Sequence, residues 1–242
     1  LTIQLAVPFA QGHIDTLHVG AVQDTACNAM TPIDIVLTYN TLTDPLEASE
    51  IMYDGLTGSI IGLDSMQFVE FVNPGPNSRP IGGLHVTGQI DVVLPELTLG
   101  VGEHVVLARS PELIERFFQI EGNVFYWNQG SINDNTGHFR VTNTAGVIID
   151  SLTYRNLSPW PTGAQETGRS IVVCDPSQDN SLGSNWVESS TIIDSVGVWY
   201  GANIPGPIWA SPGRANCRLV GIDNAEVIAT KIYPNPFYST FE

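Results

Sequence analysis

The feature that most constrains the fold is a succession of short runs rich in β-branched and aromatic residues, each closed by a turn cluster. LEASEIMY (46–53), QFVEFVN (67–73), GGLHVTG (82–88), IDVVLP (90–95), EHVVLARS (103–110), NVFYW (123–127), HFRVTN (138–143) and GVIIDSLTY (146–154) follow one another, separated by clusters such as NPGPNSRP, LGVG and NDNTG. Short runs of this kind, many alternating with period two, are strands, and their spacing predicts a sandwich or barrel. With 23 glycines, 16 prolines and only 14% charged residues, the chain is not built mainly from long amphipathic helices. The fold class is therefore all-β. One stretch reads as a short crossover helix, SPELIERFF (110–118), with Ser110 as N-cap, Pro111 at the first helical position and Glu112 in the first turn.

Upstream, DTLHVGAV and IDIVLTYN predict two strands between His13 and Asn40, joined through a polar turn near residues 24–30 and followed by the breaker TLTDP. The opening LTIQLAVPFAQG reads as an ordinary first strand, with the end of a signal peptide as the alternative. After Arg155 the chain becomes loop-rich, with strands expected at IVVCD, IIDSV (192–196), VWYG (198–201) and RLVGID.

QFVEFVN is apolar on both faces: Phe68 and Phe71 point opposite ways, as do Val69 and Val72. Glu70 shares the face of Phe68 and Val72 and is the anomaly. A carboxylate in that place is expected to accept bonds from backbone N–H groups or an arginine, with a functional role as the alternative.

Twenty-five acidic residues against nine basic ones give a formal charge of −16, which repels nucleic-acid phosphates and anionic lipid. No stretch is long and apolar enough to be a membrane-spanning helix. Cys27, Cys174 and Cys217 lack the CxxC spacing of a zinc site, so at most one bridge forms. Cys174 with Cys217 is the preferred pair because both fall in one domain; unbridged, they would be small core residues.

No catalytic constellation emerges. The five histidines are scattered without metal spacing, although His85 and His104 could meet across neighbouring strands, and there is no GxSxG elbow or P-loop. In DPSQDNSLGSN (175–185), Asp175, Asp179 and Asn180 supply oxygen ligands suited to Ca²⁺, while the same residue types also serve turns. Trp160 in SPWPTG reads as a plug at the sandwich end or as an exposed platform; Trp199 and Trp209 are further candidates for ligand stacking.

The order EIMYDG, QFVEFVN, LPELTLGVGEHVVLARS, VFYWNQGSINDNTGHFRVTNTAGVIIDSLTYRNLSPWPTG and WASPGRAN resembles a lamin tail domain of the bacterial extracellular type, over residues 46–216. Two features depart from that pattern: GGLHV stands where a glycine-tryptophan start is usual, and GLTGSIIGLDSM is an insert. The resemblance implies an immunoglobulin-like β-sandwich without catalytic residues of its own. KIYPNPF (231–237) resembles the first strand of the C-terminal sorting domain that directs cargo of the Bacteroidetes type IX secretion system, here truncated.

The expected organisation is an N-terminal β segment (1–45), a lamin-tail-like sandwich (46–225), and a linker with the start of the sorting domain (226–242). The expected function is that of a non-catalytic, secreted or cell-surface binding, adhesion or spacer module. Its partners would be a protein or glycan ligand and, through the tag, the secretion machinery; no cofactor is required, and Ca²⁺ is the one candidate ion. The alternative is an accessory domain of an extracellular hydrolase, or a hydrolase with an unrecognised acid pair.

Overall fold

The alternating runs fold as strands, and the chain is an all-β sandwich with an N-terminal β extension and one short α-helix. The computed structural model describes residues 7–20, 22–55, 63–190, 192–193, 198–199, 202–203 and 208–214. The extension is β1 (His13–Val19) with β2 (Ile33–Tyr39). The sandwich follows with β3 (Glu47–Met52), β4 (Phe68–Val72), β5 (Arg79–Pro80), β6 (His85–Gly88), β7 (Ile90–Val93), β8 (Thr98–Leu99) and β9 (His104–Ala108). After α1 (Pro111–Phe118) come β10 (Val124–Tyr126), β11 (Gln129–Gly130), β12 (Thr136–Thr142), β13 (Ile148–Arg155), β14 (Ile171–Val173) and β15 (Trp186–Glu188). Four short strands close the described chain: β16 (Ile192–Ile193), β17 (Val198–Trp199), β18 (Ala202–Asn203) and β19 (Ile208–Trp209). The predicted RLVGID strand, the sorting motif and the first six residues lie outside the described residues.

One sheet has six strands in the order β10-β9-β4-β3-β14-β15, and the other five in the order β11-β7-β6-β12-β13. Only β9 and β10 pair in parallel within them, because α1 carries the chain from the end of one back to the start of the other. Inward side chains of both sheets form one core: Ile51, Val69, Phe71 and Leu107 from the first meet Val86, Val92, Phe139, Val141 and Tyr154 from the second.

The two-sided apolar pattern of β4 has a physical cause. Phe71 belongs to the inter-sheet core, whereas Phe68 packs on the other side with Val106, Ile114, Phe117 and Phe118. The six-stranded sheet is thus covered by its partner sheet on one face and by α1 and residues 208–210 on the other.

The β1–β2 hairpin joins neither sandwich sheet. It is fastened at its base, where the buried Asn40 amide donates to the carbonyls of Pro80 and Gly82, both at 3.0 Å, and Asn40 N–H donates to Thr144 Oγ1 at 3.0 Å. Gly12 sits at φ +78°, and a Cβ on Gly82 would lie 2.0 Å from the Gly12 carbonyl, so this junction needs both glycines.

Ser110 does precede α1 with Pro111 behind it, but its hydroxyl makes no capping hydrogen bond. Ser110→Ala is therefore expected to change stability by less than about 0.5 kcal/mol in urea unfolding, against the ~1 kcal/mol usual for a working N-cap. Cys174 is disulfide-bonded and Cys27 is free and exposed; Cys217, its expected partner, lies outside the described residues.

Candidate functional site

Three places hold the residues that could carry function: the open face of the five-stranded sheet, the covered face of the six-stranded sheet, and the loops that carry the predicted ligands.

The five-stranded sheet buries alternate residues inward and leaves its other face uncovered by either sheet. Outward-pointing positions are Asp91 and Val93 on β7, His85 and Thr87 on β6, His138, Arg140 and Thr142 on β12, and Ser151, Thr153 and Arg155 on β13. Register places Arg140 opposite Thr87 on one side and Ser151 on the other, His138 opposite Thr153, and Thr142 opposite His85. Neighbouring strands about 4.8 Å apart thus set hydroxyls, imidazoles and guanidinium groups in rows. Asp91 is the one acidic side chain of these strands that points outward, and it lies 3.0 Å from His85 Nε2. Asp150, the other acid, is turned inward, where Ala48 N–H and Asn180 Nδ2 donate to it at 2.9 and 3.0 Å.

On the six-stranded sheet, Glu50 and Glu70 face each other across β3 and β4, and neither is exposed. A register irregularity between Ala48 and Glu50 turns Ser49 toward the same spot, so its hydroxyl donates to Glu70 Oε1 at 2.6 Å. Ser170 Oγ donates to Glu50 Oε1 at 2.5 Å. Residues 211–213 supply further donors: Ser211 N–H and Oγ to Glu50 at 2.9 and 3.1 Å, and Gly213 N–H to Glu70 Oε2 at 2.6 Å. Burial first, and then the charge of Glu70, push the Glu50 carboxyl up to about 8. His104 Nδ1 lies 2.8 Å from Glu70 Oε1, a close polar contact without the alignment of a hydrogen bond. The expectation for Glu70, a buried carboxylate satisfied by backbone N–H, matches this geometry. His104 opens onto a cavity of about 410 Å³ bordered by Glu103, Glu121, Asn123, Gly213 and Arg214.

The predicted loop ligands do not converge. Asp175 Oδ1 accepts from Ser177 N–H and Oγ at 3.0 and 2.7 Å, and Asp179 Oδ1 accepts from Ser181 N–H and Oγ at 2.9 and 2.6 Å. Each Asp-x-Ser closes its own turn, and those bonds hold both carboxyls below the usual range. Asn180 is buried, donating to Ala48 O and Asp150. Among the described residues no group of three acidic, histidine or cysteine side chains is placed to hold a metal ion.

The tryptophans divide likewise. Trp160 is a core residue, not a platform: it is buried, its ring centroid lies 5.4 Å from that of Trp186, and Gly183 lies against it because a Cβ there would fall 2.6 Å from the indole. Half-buried Trp209 has the Arg169 guanidinium 4.1 Å above its ring, so one face is already occupied. The side chain of Trp199 lies outside the described residues. His85 and His104 do not meet, since they belong to different sheets.

The sequence reading missed Glu50 and the open-face rows. Glu50 follows Ser49 in a run whose period is broken by the β3 irregularity, so simple alternation assigns it no face. Comparison of the chain with protein-family models and with curated proteins gives no match.

Proposed function

We propose that this chain is a non-catalytic binding module of a secreted or cell-surface protein, and that it holds a neutral, hydroxyl-rich glycan on the open face of the five-stranded sheet. One observation carries the reading: the outward rows of Thr87, Thr142, Ser151, Thr153, His138 and Arg140 form a flat field of hydrogen-bonding groups with a single acidic member. Of the two acids on these strands, Asp150 is turned inward. A neutral polymer meets no repulsion at this face, and arginine and hydroxyl side chains suit vicinal hydroxyls. The resemblance to an immunoglobulin-like lamin tail domain and to the start of a type IX sorting domain of Bacteroidetes supports extracellular life.

The acid pair that could have argued for hydrolysis points the other way. Glu50 and Glu70 are fully buried and accept bonds from residues 211–213, so no substrate bond reaches both. Affinity electrophoresis through gels containing dextran, laminarin or amylose tests the proposal. At least one glycan should retard the protein, and Arg140→Ala with His138→Ala should weaken retardation tenfold or more while melting stays cooperative. Undiminished retardation in that variant, or glycan turnover abolished by one carboxylate substitution, would overturn it.

A further inference from the structure

The β1–β2 hairpin stands on the sandwich by its base, and its two outer edges are treated differently. In an antiparallel pair alternate residues bond to the partner strand, and the others turn their N–H and C=O groups outward. On β1 the outward groups belong to Ile14, Thr16 and His18. Ile14 N–H donates to the Glu96 carboxylate and Thr16 N–H to the Asp15 carboxylate, so side chains already occupy this edge. The register, Ile14 to Thr38, Thr16 to Val36 and His18 to Asp34, then turns the backbone of Asp34, Val36 and Thr38 outward on β2. Asn40, next in that series, obeys the same alternation: its N–H donates to Thr144 Oγ1 at 3.0 Å and its C=O accepts from Thr144 N–H at 2.9 Å. No described residue bonds the corresponding groups of Asp34, Val36 and Thr38. The edge so left is long and apolar. β2 runs seven residues, pairs with β1 without a bulge, and has no lysine or proline within it, the devices that blunt edge strands. Ile33, Ile35 and Tyr39 are exposed on one face, beside half-buried Leu17, Val19 and Leu37, and Val36 is 64% exposed on the other.

We propose that β2 is a dimerisation edge: two copies of the chain join their β2 strands antiparallel about a twofold axis at Val36, making one four-stranded sheet from two hairpins.

The choice of a second copy as occupant follows from the strand's own pattern. The free outward groups, at Asp34, Val36 and Thr38, are symmetric about Val36. A second β2 laid antiparallel therefore sets Val36 against Val36 and Asp34 against Thr38, each pair exchanging both backbone bonds. On the apolar face the same register sets Ile33 against Tyr39 and Ile35 against Leu37, cross-strand pairs that support a ladder. The register also uses only the groups that are free. Beyond it Asn40 is already bonded by Thr144, and the residue that would lie opposite Asn40 is Pro32, which has no N–H to offer. Charge permits the contact although each copy carries −16. Asp34 is the one charged residue of β2, and it lies 2.5 Å from His18 Nδ1 of its own hairpin. Its counterpart in the second copy falls four residues along the ladder, about 14 Å away at about 3.4 Å per residue, beyond the ~8 Å screening length at physiological salt.

Sedimentation equilibrium of the whole chain from about 1 to about 500 μM tests the assignment. The chain should pass from monomer to dimer over that range, and Val36→Pro should raise the dissociation constant at least about tenfold. Proline there removes an N–H that β1 does not use, so the hairpin and cooperative melting should survive it. Val36→Glu, which sets two carboxylates face to face on the axis, should weaken the dimer likewise and serves if the proline variant does not fold. Val36→Cys in a Cys27→Ser background should cross-link to its own copy under mild oxidation, whereas Asp34→Cys in that background should not, because position 34 faces position 38. A chain that stays monomeric at every concentration overturns the proposal. So does a dimer that persists undiminished in whichever Val36 variant folds, or cross-linking at position 34 as readily as at position 36.

Discussion

Arg79→Met is expected to stabilise the protein by about 2–3 kcal/mol near neutral pH. Arg79 begins β5, is 1% exposed, and its three guanidinium nitrogens have no hydrogen-bond partner among the described residues. Asp44 acts on it through its charge but forms no ion pair with it, and burial, the larger effect, pulls the guanidinium down to about 10. A displacement of that size from 12.5 corresponds to roughly 3 kcal/mol of unrecovered desolvation, at 1.36 kcal/mol per unit of pKa. Methionine has similar length, flexes to fill the space, and leaves the backbone pairing of position 79 with Leu99 intact. Urea unfolding at pH 7 checks this. A variant less stable than the wild type would show that the charge is satisfied in solution.

The second large effect is a loss of stability as pH rises. The Glu50 carboxyl lies near 8 in the folded chain against 4.5 as its ordinary value, so the folded state binds more protons between those limits. Stability therefore falls as pH rises above about 4.5, through the range in which the folded carboxyl gives up its proton, and levels off above it. Glu47, pushed up to about 7 by burial, then Asp150 and Asp179, and Asp54, pushed up to about 6 by burial and then Asp134, act in the same direction. The partial exposure of Glu47 reduces its weight, whereas Asp54 is buried. Urea unfolding at pH 5, 6.5, 8 and 9 should show the highest stability at the acidic end. Glu50→Gln should remove most of the slope and leave the smaller part owed to Glu47 and Asp54. Stability that is flat or rising over this range in the wild type contradicts the assignment.

What could be read in the sequence was local. The alternation of IDVV and HFRVT carried both strand identity and facing, and the two-sided apolar run of QFVEFVN marked a covered strand. Pro111 marked the helix start, although the hydroxyl of Ser110 proved idle. Features set by distant residues were not legible. β5, β8 and β11 are two-residue strands that exist because of their partners. Arg79 sits in NSRP, a polar turn cluster, and nothing nearby announces that the guanidinium is buried. Trp160 and Trp186 meet across a loop, which decides between plug and platform. The acid pair needed a strand irregularity and a segment 140 or more residues away, as the separations of Gly213 from Glu70 (143) and Ser211 from Glu50 (161) show.

The most direct test of the binding surface is an NMR perturbation map of the protein titrated with the glycan that retards it, following histidine ring, arginine side-chain, tryptophan indole and backbone amide signals. The account predicts shifts at His85, His138, Arg140 and Arg155, with Trp209 and the residues around the His104 cavity unmoved. Shifts confined to Trp209 or to residues 102–104, 120–123 and 213–214 would contradict it, as would a spectrum unchanged by every glycan in the panel.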